Sequence, residues 1–373
     1  MKKVHLVVCD LFLPGDIVGE VCAGLHLPAL EKMLARGALA GSVQTGESAS
    51  LEDLLCAMFD VSCQPQAPIA PISAAFDGLG AGCWVRADPV HLRLQRDQLV
   101  LLSDVDIGAD EAGQMCVALN EHFAGQGMTF FAPHPQRWYI RLDRFPDIET
   151  VPLSRAAGRN VRDLLPKGND AAHWQRVFNE IQMLLFAQPL NEAREARGEL
   201  PVNSLWLWGC GCDTLLAKPA DCGSNREAIA YAPNNRNAAH FGCGEVNLPP
   251  QKTYDHVSSD EVLAEMFAEA AGIPFASWPE QWRNEENCTR QLLVWTGLRS
   301  ALRRGDLDAW RAVLQDFETG YTQPLWSALR AGKIAQLQVD ILCGDHVRRL
   351  LLTRADAWAF WRRARTLAEY AIV

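Results

Sequence analysis

Val4-His5-Leu6-Val7-Val8-Cys9-Asp10 decides the fold class. Six β-rich residues run without regular polar alternation, as a strand buried on both faces of a parallel sheet does, and the run stops at a carboxylate ahead of a Pro14-Gly15 turn. Leu27, Leu30, Met33 and Leu34 then recur at helical spacing and end at Gly37. This strand followed by a helix predicts an α/β chain. It also makes Asp10 a site candidate, because open parallel sheets bind ligands beyond the carboxyl ends of their strands. Ala38 to Val43 predicts a second strand. Ser48 and Ser50 precede a second helix with Leu51, Leu54, Leu55 and Met58 on its apolar face and Glu52 and Asp53 in its first turn.

Further along, Pro65, Pro68 and Pro71 restrict the chain at an irregular apolar stretch that suits a domain crossing. Beyond it, strands are expected at 91–94, 98–102, 128–131 and 138–142, with helices at 110–123 and 171–187, an α+β pattern. Ser204 to Trp208 is a further strand candidate, and 209–254 has little periodicity. Helices follow around Val262 to Ala270 and from Leu307 to Leu329, the latter with Pro324 placed to kink it. Strands at 336–343 and 347–352 flank Gly344-Asp345-His346, a hairpin-type turn, and Ala357 to Tyr370 is expected to be a basic amphipathic helix.

Composition sets the outer limits. At about 100–200 residues per domain, 373 residues predict two domains. Hydrophobic residues at 49% and charged residues at 21% describe a folded chain. The net charge of −10 disfavours nucleic acid, and no apolar window is long enough for a membrane span, so neither nucleic acid nor a membrane is expected as a partner. The run after Met1-Lys2-Lys3 is too short for a signal peptide, so a cytoplasmic protein is expected, with its 12 cysteines as reduced thiols.

The opening strand, Leu27-Pro28-Ala29-Leu30-Glu31-Lys32-Met33-Leu34-Ala35-Arg36-Gly37 and the serine-bearing turn at 46–50 resemble the first lobe of the alkaline-phosphatase superfamily. Gln188-Pro189-Leu190-Asn191-Glu192-Ala193-Arg194, followed by Pro201-Val202-Asn203-Ser204-Leu205-Trp206-Leu207-Trp208-Gly209, is similar to the archaeal-type cofactor-independent phosphoglycerate mutases over residues 1–215. The whole chain resembles the bacterial RpfE-type regulatory proteins. The resemblance implies a phosphatase-superfamily-like lobe formed by residues 1–64 and 205–373, with an inserted α+β lobe at 65–204. It also implies a two-metal site with Asp10 as a ligand, a phosphorylatable serine at Ser48 or Ser50, and substrate-anion contacts at Arg86, Arg137, Asn191 and Arg194. Asp255-His256 preserves the dipeptide of a late metal-binding element, yet Thr-Pro does not follow it and no D-x-x-x-H occurs after residue 215.

Each candidate has a plainer reading. Asp10 can cap its own turn. Ser48 or Ser50 can cap the following helix, Ser50 with Asp53 forming an S-x-x-D box. The three arginines can be ordinary ion-pair partners. Cys210, Cys212, Cys222 and Cys243 with His240 have poor spacing for zinc and suit small apolar thiols better. The exposed-looking Arg362-Arg363-x-Arg365 cluster reads as a solvated helix end. The expectation is therefore a degenerate phosphoglycerate-mutase-like protein, non-catalytic or regulatory, with no cofactor and a small anionic ligand or a protein as partner. In it, Arg86, Arg137 and Arg194 converge on one cleft wall. The alternative is a metal-dependent phosphotransferase holding manganese or zinc in a rearranged site.

Overall fold

The opening run is the central strand of a seven-stranded sheet. The computed structural model describes residues 2–39, 50–63, 66–212, 253–284, 288–344 and 346–371. Its strands in chain order are β1 (Lys2–Cys9), β2 (Ala38–Leu39), β3 (Cys83–Gln95), β4 (Gln98–Leu102), β5 (Met128–His134), β6 (Arg137–Leu142), β7 (Ser204–Cys212), β8 (His256–Ser259), β9 (Phe275–Ser277), β10 (Arg290–Trp295), β11 (Ile334–Cys343) and β12 (His346–Thr353). The chain divides into two units, residues 1–59 with 249–373 and residues 60–248.

In the first unit the sheet order is β2-β12-β11-β1-β10-β8-β9. The five strands from β11 to β9 are parallel, and β12 and β2 close one edge antiparallel. Successive side chains of β1 alternate between faces. Val4, Leu6 and Val8 enter a core with Leu30 and Met33 of the Pro28–Arg36 helix and with Trp310, Leu314, Leu325 and Leu329. On the other face His5 bonds the Tyr254 hydroxyl at 2.7 Å and Asp340 of β11 at 3.0 Å. Arg349 of β12 donates to the same carboxylate at 2.6 Å and 2.8 Å.

The stretch 307–329 is two helices, Leu307–Phe317 and Gln323–Arg330, joined by a π turn over Glu318–Thr322. Pro324 has no N–H to donate to the Gly320 carbonyl, and that oxygen accepts from Trp282 N at 2.9 Å instead. The turn carries Glu318 inward, where its carboxylate accepts from Ala29 N at 2.7 Å and Leu30 N at 3.1 Å, capping the Pro28–Arg36 helix.

The expected helix over 357–370 is absent. A Thr353/Asp356 capping box starts a helix that ends at Ala357, and Thr366 bonds Glu369 at the start of Leu367–Ala371, so 358–366 is irregular. The hairpin between β11 and β12 forms, with Gly344 at φ 57°. Asp345 lies outside the described residues.

The second unit holds a five-stranded antiparallel sheet, β4-β3-β6-β5 with β7 on the other side of β3. Residue 205 does not begin a return to the first lobe, because β7 pairs with β3 from Val90↔Ser204 to Cys83↔Cys212. One face of this sheet, through Val85, Ala87, Ile140 and Leu207, packs on the Ala109–His122 and Ala171–Phe186 helices. Trp84 and Tyr139 on the other face meet Ala70 and Ala74 of the Ile69–Phe76 helix. That helix, with Pro71 in its first turn, occupies part of the expected proline-rich crossing.

The thiols are not all reduced. Cys83 and Cys212, directly opposed across β3 and β7, form a disulfide with Cα atoms 4.0 Å apart. Cys212 is thereby unavailable as a zinc thiolate, and burial pushes the Cys210 thiol up to about 12. Cys222, His240 and Cys243 lie outside the described residues.

Candidate functional site at the carboxyl edge of the parallel sheet

Asp10 leaves β1 with φ at 60°, a left-handed conformation uncommon for a non-glycine residue. Its N–H donates to Leu342 O at the end of β11, so the neighbouring strand fixes that turn. Two strands away, β8 ends and Asp260-Glu261 follows, with the Asp260 carboxylate accepting from Thr296 N at 2.8 Å. Thr296 and Arg299 lie just past β10, which runs between β1 and β8.

Arg299 joins these carboxyl ends. Its Nε donates to Asp10 Oδ2 at 3.0 Å and its Nη1 to Glu261 Oε2 at 3.5 Å. The three side chains keep 20%, 32% and 26% of their surface, so the group sits at the rim of the fold. Burial works to lower the Arg299 pKa, yet Cys9, Asp10, Glu261 and Glu52 around it raise it overall. Burial pushes the Asp260 carboxyl up, opposed by the Thr296 N–H and the Arg299 charge. Burial also pushes the Cys9 thiol up to about 12, which makes it a packing group and not a nucleophile.

Two divalent ions about 3.5–4 Å apart would need a dense set of free carboxylates and imidazoles. Here Asp10 and Glu261 already share a guanidinium and Asp260 holds a backbone N–H. Among the described residues no group of three or more His, Cys, Asp or Glu is placed to hold a metal ion. The described donors therefore do not fit the two-metal centre that the family resemblance implies.

The other sequence candidates fall elsewhere. Asp255 and His256 lie at the amino end of β8, in register with the start of β10, and are not brought to Asp10. The length of β1, ~23 Å at about 3.3 Å per residue, separates the two edges. Asp255 accepts from Thr289 Oγ1 and from the N–H groups of Thr289 and Arg290, which hold its carboxyl below the usual range. Ser50 is a helix cap: its Oγ accepts from Asp53 N at 3.1 Å and its N–H donates back to the Asp53 carboxylate. Ser48 lies outside the described residues.

In the second unit the three arginines do not converge. Arg86 forks onto Asp88 at 2.7 Å and 3.1 Å between the rings of Tyr139 and Trp208. On the same face Arg137 forks onto Asp77 at 2.6 Å and 2.9 Å, and Tyr139 donates to that carboxylate as well. Burial would raise Asp77, but the bonds from Arg137 and Tyr139 bring it below its ordinary value. Arg194 lies with the helices on the opposite face, 1% exposed, bonded to Glu111 and to the Leu200 carbonyl. Asn191 straps Val202 N and O to the Leu185 carbonyl. Each guanidinium has a carboxylate of its own, which makes these four residues braces of the unit.

Asp260, Glu261 and Arg299 were not among the candidates. The rule that selected Asp10, a carboxylate just past a strand, applies to Asp260 as well. It was hidden because β8 is four residues long and half serine, with Ser258 and Ser259 each 2% exposed.

No family model matches the chain. The 2,3-bisphosphoglycerate-independent phosphoglycerate mutase of Methanosarcina acetivorans is 26% identical over 149 residues, 38% of this chain and 36% of the relative. That of Methanothrix thermoacetophila is 34% identical over 65 residues, 17% of each chain. The chain thus spans about 36% of the length of the first of these relatives. Among solved structures, the PH0037 protein of Pyrococcus horikoshii superposes with a TM-score of 0.51 at 13% identity, covering 94% of this chain and 87% of that one. The fold is of this mixed α/β kind, and the chain is similar to the phosphoglycerate mutases over part of its sequence.

Proposed function

We propose that this protein is a non-catalytic relative of the phosphoglycerate mutases that binds a small phosphate- or carboxylate-bearing ligand and acts as a regulatory protein. The observation that carries the reading is Arg299 between Asp10 and Glu261. A fixed guanidinium supplies the positive charge at the carboxyl edge that a mutase would draw from divalent ions. It cannot coordinate an attacking water and lower its pKa as a divalent ion does, nor accept the coordination changes of an in-line displacement. Its fork also suits a carboxylate or phosphate, and its Nη2 has no hydrogen-bond partner among the described residues. Arg86, Arg137 and Arg194 contribute no anion contact to this reading, since each is matched to a carboxylate.

A metal-dependent phosphotransferase is the second reading, favoured by the left-handed backbone at Asp10, a conformation that clusters at functional sites. In that reading Asp10 would be one manganese or zinc ligand, and the described residues do not complete the set. Purified protein incubated with manganese or zinc and assayed on 2- and 3-phosphoglycerate separates the two. The expected result is no turnover under any metal condition, together with calorimetric binding of 3-phosphoglycerate that Arg299→Ala weakens roughly tenfold or more. Metal-dependent turnover that is lost in Asp10→Ala overturns the proposal.

A further inference from the structure

Three large aromatic side chains stand in water on one short segment of the first unit: Trp358 at 53% exposure, Phe360 at 77% and Trp361 at 70%. Ala359 and Leu367 anchor the segment in the core at 4% and 2% exposure, so the aromatics project from a fixed base. Phe360 and Trp361 meet edge to face at 5.4 Å. Isolated exposed apolar residues are common on folded proteins, whereas a contiguous aromatic cluster marks a contact surface. Arg362, Arg363 and Arg365 follow directly, all exposed, and Arg330 stacks on the Trp358 ring at 4.7 Å. Of the carboxylates around the segment, Asp356 and Glu369 are held by Thr353 and Thr366 as helix caps, and Glu31 accepts from the backbone of Leu367. The result is a positive aromatic surface on a chain of net charge −10.

We propose that this segment binds the surface of an anionic phospholipid bilayer, with Trp358, Phe360 and Trp361 entering the headgroup layer and the arginines pairing with lipid phosphates. Charge complementarity selects an anionic partner. A second copy docked through the same patch would set arginines against arginines. Side chains with most of their surface in water suit entry into a plane better than stacking along a strand held in a groove. Tryptophan beside arginine is also the residue pairing that settles at a bilayer interface, its apolar body inside and its polar edge wet. Such a contact is peripheral and is independent of the ligand site proposed above.

Sedimentation of the full chain with phosphatidylcholine vesicles, alone or with about one-third phosphatidylglycerol, tests this. The expected result is binding to the anionic vesicles only, weakened by salt. Arg363→Ala with Arg365→Ala should lower the partition about 30-fold, at the usual strength of two arginines near an anionic surface. Phe360→Ala with Trp361→Ala should lower it by about tenfold or more. Arg303→Ala with Arg304→Ala removes the same charge from another exposed helix end and should leave it unchanged. Far-ultraviolet circular dichroism confirms that every variant is folded. The proposal is overturned by absent binding, by equal binding to both vesicle types, by retained binding in both patch variants, or by equal loss in the control variant. Self-association or single-stranded RNA binding that depends on the patch, without vesicle binding, overturns it equally.

Discussion

Asp340 is 0% exposed and shares its carboxylate with His5 and Arg349. Burial alone would raise it, but hydrogen bonds from His5 and Arg349 hold it down at about 2. An unfolded aspartate titrates at about 3.9, so between these values the unfolded chain binds the extra proton. The stabilisation is therefore complete above about pH 4 and is lost as pH falls toward 2. Asp340→Asn should reduce stability at neutral pH by about 2–4 kcal/mol and flatten the acid limb of a urea-unfolding series against pH. An unchanged acid limb in the variant would show that other carboxylates govern acid unfolding. The sequence gives no sign of this cluster. His5 sits inside an apolar run, and its partner is 335 positions away, brought close only by the parallel register of β1 and β11.

Where an element's signal is local, it is legible in the sequence. The Ser50/Asp53 box starts the Leu51–Met58 helix as expected, the apolar stripe of Ala171–Phe186 is buried as expected, and the hairpin at Gly344 forms. Contacts between elements leave no such trace. The cap of the Pro28–Arg36 helix is Glu318, 289 residues from Ala29, presented by a π turn that Pro324 induces. Glu318 is 1% exposed, so Glu318→Ala removes two charge-assisted bonds and leaves two buried N–H groups unmet. The expected loss is about 2–4 kcal/mol, with Glu318→Gln recovering part of it because one oxygen can still accept. A loss below about 0.5 kcal/mol for Glu318→Ala would mean that water serves those groups equally well.

On the scale of the whole chain, the α/β class follows from the first forty residues, but the course of the middle segment does not. β3 runs for 13 residues through Pro89, and its partner β7 lies more than a hundred residues later, so neither its length nor its pairing has a local pattern. That pairing keeps the whole five-stranded sheet within residues 83–212, with the Ala109–His122 and Ala171–Phe186 helices on one face and the Ile69–Phe76 helix on the other. Among the described residues two large cores share no member: one is built from Val4 to Leu367 with none of them between 35 and 281, the other from Val85 to Cys210. A segment that buries its own core, leaves no strand of its sheet to be supplied from outside and has about 150 residues meets the conditions for independent folding. Residues 60–212 expressed alone should give a cooperative thermal transition with near-ultraviolet dichroism from the packed Trp84, Trp138 and Trp206. A broad transition with dye binding and lost near-ultraviolet signal would instead make this core dependent on the rest of the chain.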